Sequence, residues 1–74
     1  MGVRNLTFYA KFTRAGKEII GTIPQFNISV INSKYSSTEK HLNSALYYHL
    51  KNMEESKIPI PEPQYFDGGV AITT

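Results

Sequence analysis

Residues 6–13 alternate without a break: Leu6, Phe8, Ala10 and Phe12 fall on one side, Thr7, Tyr9, Lys11 and Thr13 on the other. A period of two is that of a strand buried on one face only. Arg14-Ala15-Gly16-Lys17 supplies a turn in which Gly16 is free to take positive φ. The run Glu18–Ile23, rich in β-branched residues, predicts a second strand that pairs back as a hairpin. Gly21 interrupts it and marks either a bulge or a close contact. Pro24 has no amide proton to give and ends that strand or holds it at an edge. A third alternation spans residues 26–31, with Phe26, Ile28 and Val30 set against Asn27, Ser29 and Ile31, before Asn32-Ser33-Lys34 turns the chain.

The period then changes. Leu42, Ala45, Leu46, His49, Leu50 and Met53 recur at steps of three and four, the stripe of an amphipathic helix over about residues 37–56. Ser36-Ser37-Thr38-Glu39 reads as its start, with Ser36 as N-cap and Glu39 reaching back to close a capping box. Lys40, Ser44, Lys51 and Glu55 face water. Pro59 disfavours helix at Ile58, and Pro61 and Pro63 keep the chain extended, near polyproline II. Residues 64–69 make a turn around Asp67-Gly68, read as a positive-φ pair, and Val70–Thr73 form a last short strand.

A lone helix is not stable in water unless its apolar stripe is covered. The cover expected here is the sheet face carrying Leu6, Phe8, Phe12, Ile19, Phe26, Ile28 and Val30. The fold class that follows is α+β: a three-to-four-stranded, mainly antiparallel sheet in the order β-β-β-α-β, packed on one amphipathic helix.

At 74 residues the chain is one domain, residues 1–74, and buries only about 60% of the surface its unfolded form exposes. Cysteine is absent, so neither a disulfide nor a thiolate metal site reinforces it. Self-association is the remaining common remedy, and a homodimer is expected. The net charge of +2 is spread from Arg4 to Lys57 without a cluster, so no nucleic-acid footprint is indicated. No apolar run is long enough to span a membrane, and the start Met1-Gly2-Val3-Arg4-Asn5 lacks a signal core. The expected location is the cytoplasm, with no cofactor and no metal.

His41 and His49 stand eight apart on the helix and do not share a metal; His49, in the stripe, reads as a core or interface histidine. Glu18, Glu39, Glu54, Glu55, Glu62 and Asp67 offer no spacing that reads as an acid/base couple, so an enzyme is not expected. The tyrosines carry more. Tyr9 lies on the strand face opposite Phe8 and Phe12, Tyr47 on the polar side of the helix wheel, and Tyr48 and Tyr65 between extremes. Exposed tyrosines recur in contact surfaces because the ring buries a large area at small entropic cost.

The order of these pieces resembles the N-terminal domain of HicB-family antitoxins. The matching stretches are Phe8-Tyr9-Ala10-Lys11-Phe12, Gly21-Thr22-Ile23-Pro24-Gln25-Phe26, Ser36-Ser37-Thr38-Glu39, Leu42-Asn43-Ser44-Ala45-Leu46 and Ile58-Pro59-Ile60-Pro61-Glu62-Pro63. The resemblance in order and spacing extends over nearly the whole chain. Asn27-Ile28-Ser29 stands where that family carries Pro-Gly-Cys. The resemblance implies a partial ribonuclease-H-like fold without ribonuclease activity, and a role in covering the catalytic surface of a HicA-type mRNA interferase. No helix-turn-helix or ribbon-helix-helix pattern follows, so DNA binding is not expected.

The function expected is therefore protein binding: neutralising a HicA-type toxin, or inhibiting another host or phage protein, as a stand-alone anti-defence inhibitor would. The candidate partner-binding residues are Tyr9, Lys11, Gln25 and Tyr47, chosen by periodicity. The alternative is a small RNA-binding module in which Tyr9 stacks bases beside Lys11.

Overall fold

The computed structural model describes residues 2–74. Its elements are β1 (Thr7–Ala15), β2 (Glu18–Ile23), a 3-10 turn (Pro24–Phe26), β3 (Ile28–Asn32), α1 (Tyr35–Glu55) and β4 (Val70–Thr73). The strands form one sheet in the order β3-β2-β1-β4, with every neighbouring pair antiparallel. The helix packs on one face of it, which is the expected α+β architecture.

β1 and β2 are joined by Gly16-Lys17 alone, with Ala15 opposite Glu18. The turn is thus two residues rather than the four expected, and the strand runs on to Ala15. Gly16 at φ 63 supplies the positive angle that a tight hairpin needs in order to match the strand twist. Pro24 does end β2, by opening a 3-10 turn whose last carbonyl bond, Asn27 N–H to Pro24 O at 3.2 Å, leaves Asn27 left-handed at φ 56. β3 accordingly starts at Ile28, two residues later than the alternation suggested. Phe26 still reaches the core, its ring 5.0 Å from Phe8 and 4.8 Å from His49.

Paired residues share a face of a sheet, so the register sorts every strand position. Phe12, Gly21 and Val30 lie in one row on the helix side, as do Phe8 and Ile72. Phe8, Ala10, Ile23, Ile72, Leu42, Leu46 and Leu50 are buried there together with Val3. Of the expected cover, Leu6, Phe12, Phe26, Ile28 and Val30 pack against this cluster. Gly21 makes a close contact and no bulge, since its ladder is regular on both sides.

The helix begins at Tyr35, and no side chain caps it; the residue at the N-cap is Lys34. The Ser36–Glu39 capping box is therefore not formed. Packing decided the start instead. Thr38 is fully buried, its hydroxyl facing Lys34 O at 2.8 Å and Ile19 O at 3.2 Å, while the Tyr35 ring lies 4.5 Å from Phe12. At the other end Lys57 takes a left-handed φ of 58. Its N–H meets Glu54 O at 3.1 Å and that of Ile58 meets Met53 O at 2.8 Å, the pair of bonds of a Schellman stop. The helix ends at Glu55, four residues before Pro59. Beyond it, residues 58–66 run without regular structure. In the turn before β4 only Gly68, at φ 81, has positive φ; Asp67 does not.

Candidate functional site

The helix covers one face of the sheet. The other carries Thr7, Tyr9, Lys11, Thr13 and Ala15 from β1, Glu18, Ile20 and Thr22 from β2, Ser29 and Ile31 from β3, and Ala71 and Thr73 from β4. Two rows of three run across it: Lys11-Thr22-Ser29 and Thr13-Ile20-Ile31. Hydroxyls on this face bond one another, Thr7 to Thr73 at 2.8 Å and Thr22 to Ser29 at 3.0 Å. Such pairs meet their needs across the strands and leave the apolar groups as the unsatisfied part of the surface.

Ile31 is the plainest of those groups, 54% exposed on an edge strand beside Ile20. At the opposite corner Tyr65 stands 65% exposed and meets the Tyr9 ring edge-on, at 5.1 Å and 89°. It belongs to the long connection from α1 to β4, which wraps the end of the sheet and delivers one aromatic ring to the uncovered face.

Gln25 holds that connection. Its side-chain amide donates to Glu62 O at 2.7 Å and accepts from Gln64 N–H at 3.0 Å, copying the two bonds a neighbouring strand would make. Both ends of the amide are occupied, so Gln25 is a clamp at the margin of the face. Tyr47 is elsewhere again. It lies on α1, on the far layer, half-buried against the core, with the Arg4 guanidinium 4.9 Å over its ring and Tyr48 5.4 Å away. The helix tyrosine that stands free is Tyr48, 64% exposed. Of the four candidate residues, the structure brings together Tyr9 and Lys11 on one face, ties Gln25 to the α1–β4 connection through Glu62 and Gln64, and separates Tyr47.

Two exposed groups of this face, Tyr65 and Ile31, are not among those four candidates. Ile31 is legible as an isoleucine on the polar side of an alternation, opposite another such isoleucine, Ile20. Tyr65 is legible only as a tyrosine, because the path of a non-periodic connection is not written locally.

The two sheet edges differ. At β4, Thr74 N–H bonds Leu6 O, so Thr74, Ile72 and Val70 turn inward to β1 while Ala71 and Thr73 turn outward. A groove of about 550 Å³ runs along this edge beneath α1, lined by Ser36, Glu39, Lys40 and Asn43, and the Asn43 amide donates to the outward Thr73 carbonyl. The helix lies mainly over β3 and β2 and only lightly over β4, yet among the described residues no side chain bonds the outward carbonyls of β3 as Asn43 bonds that of Thr73.

His49 sits half-buried against Phe26, and exposed His41 meets Asn32 at 3.4 Å through Nδ1. Among the described residues no group of three His, Cys, Asp or Glu side chains could hold a metal, and no helix is long and apolar enough to cross a membrane. The Tyr35 phenol is raised above its ordinary value near 10, first by desolvation and then by the Glu39 carboxylate. No protein-family profile, curated protein or solved structure matches the chain.

Proposed function

We propose that this chain is a non-catalytic protein-binding domain, HicB-like in role, which neutralises its target by laying the uncovered sheet face on it. The observation that carries this reading is the make-up of that face. Ile31 and Tyr65 are exposed there beside Ile20 and Tyr9, among hydroxyls already bonded to each other. Apolar groups of this size gain by leaving water, and paired hydroxyls can follow them without stranding a donor.

The charge on the face favours protein over RNA. Among its strand residues Lys11 is the one cation and Glu18 the one anion. Nucleic-acid affinity rests on neutralising several phosphates, for which a single lysine is too few. The Tyr9–Tyr65 pair beside Lys11 is what an RNA-binding reading would use, and it is the alternative outcome of the test.

A HicA-type mRNA interferase is the first partner to try, following the resemblance in element order; another host or phage protein is the second. The chain is titrated into an RNA-cleavage assay of such an interferase. Saturable inhibition is expected, weakened by Tyr65→Ala and by Lys11→Glu and persisting at raised salt. RNA turnover by the chain alone, or RNA binding that collapses with salt and no effect on the interferase, overturns the reading.

A further inference from the structure

We infer that β3 is a self-pairing edge: two copies of this chain join antiparallel along it to form one eight-stranded sheet with both helices on the same side. The inference does not depend on which partner the uncovered face takes.

The ladder fixes which backbone groups of β3 are free. A two-residue loop makes Ala15 and Glu18 a hydrogen-bonded pair, so Glu18, Ile20 and Thr22 turn toward β1. Ile19, Gly21 and Ile23 then turn toward β3 and engage Asn32, Val30 and Ile28. Ser29 and Ile31 are left with N–H and C=O directed away from the sheet. The β1–β4 side gives the same parity independently, through the Thr74–Leu6 bond.

One register of two such strands satisfies all of these groups. With Ser29 opposite the second copy's Ile31, both residues of each pair face outward and exchange two bonds, and the two-fold axis repeats the pair. Ser29 opposite its own copy, or Ile31 opposite its own, closes only one such pair on the axis. The complementary register also centres Val30 on its copy, with full overlap of Ile28–Asn32.

Side chains and charge agree with it. Natural edge strands are commonly guarded by a lysine, a proline, a bulge or a covering element. Ile28-Ser29-Val30-Ile31-Asn32 contains no charge and no proline, in contrast to β4, whose edge is overhung by Glu39 and Lys40 and capped by Asn43. The flank of α1 on the β3 side is marked by the His41–Asn32 contact. Ala45, Tyr48 and Asn52 follow on that flank at helical spacing, again with no Lys, Arg, Asp or Glu. Tyr48, 64% exposed, and Ile31, 54% exposed, are then brought toward the axis on opposite faces of the joined sheet.

The full chain is examined by sedimentation velocity over a concentration series, where a dimer is expected. Ile31→Lys alters an exposed position; it should leave far-UV circular dichroism unchanged and weaken self-association at least about tenfold. Val30→Cys gives a second reading, since the chain has no cysteine of its own. Across the axis the two copies of residue 30 form a non-hydrogen-bonded pair about 4.5 Å apart, within reach of a disulfide. Mild oxidation should link Val30→Cys into a covalent dimer and leave Thr73→Cys, on the other edge, unlinked. A monomer at every concentration overturns the inference. So does a dimer that survives Ile31→Lys, or one that links through Thr73→Cys.

Discussion

A β-carbon at Gly21 would come within 3.0 Å of the Thr38 methyl, so the second strand and the first turn of the helix meet with no side chain between them. The same β-carbon would lie 3.0 Å from Phe12 Cε1 and 3.1 Å from Leu42 Cδ2. All three neighbours belong to the inner layer, and Thr38 and Leu42 are fully buried. Gly21 therefore sets how closely α1 approaches the sheet.

Gly21→Ala should cost about 1–2 kcal/mol, the overpacking penalty less the entropy the alanine removes from the unfolded chain. At this chain length that is a fall in Tm of about 4–8 °C per kcal/mol. Thermal unfolding followed by circular dichroism checks it. An unchanged or higher Tm would mean that the helix can lift without loss.

Lys57 holds a left-handed φ of 58 at the Schellman stop, where a side chain bears a steric penalty that glycine avoids. Replacing it with glycine relieves that strain but loosens the unfolded chain, and the two effects partly offset. Lys57→Gly should raise stability by about 0.5 kcal/mol, and β-branched Lys57→Val should lower it by about 1 kcal/mol. Urea titration of the three proteins orders them. Equal midpoints would deny the strain.

Gln25 joins residues far apart in sequence through a single amide, donating to Glu62 O and accepting from Gln64 N–H. Gln25→Ala should remove about 1 kcal/mol and release the connection locally. Gln25→Glu keeps the acceptor and loses the donor, placing a carboxylate against a carbonyl, and should release it at least as far. Hydrogen exchange at the Gln64 amide reads the effect directly. Protection that persists in both variants would show that Tyr65 on Tyr9 suffices to hold the segment.

Much of the architecture was legible because it rests on periodicity. The alternation of Phe8, Ala10 and Phe12 and the steps of Leu42, Leu46 and Leu50 each report which side faces the core, and all but the half-buried Phe12 are fully buried or nearly so. The helix start was misread because local capping chemistry at Ser36 and Glu39 competes with burial of Thr38, and burial won. Tyr47 was misplaced for a related reason. A helical wheel measures the angle from the stripe, but it does not know that Arg4 and buried Val3 bring the N-terminal segment against that flank. The uncovered face was half legible: Tyr9 and Lys11 came from β1 itself. Tyr65 arrives from a connection with no period, and the role of Gln25 depends on bonds to residues nearly forty positions away.

Tyr35 ties the helix start to alkaline stability. Burial raises its phenol above the ordinary value near 10, and the nearby Glu39 carboxylate adds to the shift. The neutral phenol is thus the form the fold prefers. A folded value above the unfolded one contributes stability that is intact below the unfolded value and is lost as pH rises through the folded one. Stability should therefore decline above pH 10 as Tyr35 ionises. Glu39→Gln removes the second cause and leaves the first, so its Tyr35 should titrate lower than in the parent yet stay above the ordinary value. Carbon-13 shifts of the tyrosine Cζ atoms, with Tyr35 assigned by Tyr35→Phe, follow the titration residue by residue. A Tyr35 value unmoved by Glu39→Gln would leave desolvation against Phe12 as the whole cause.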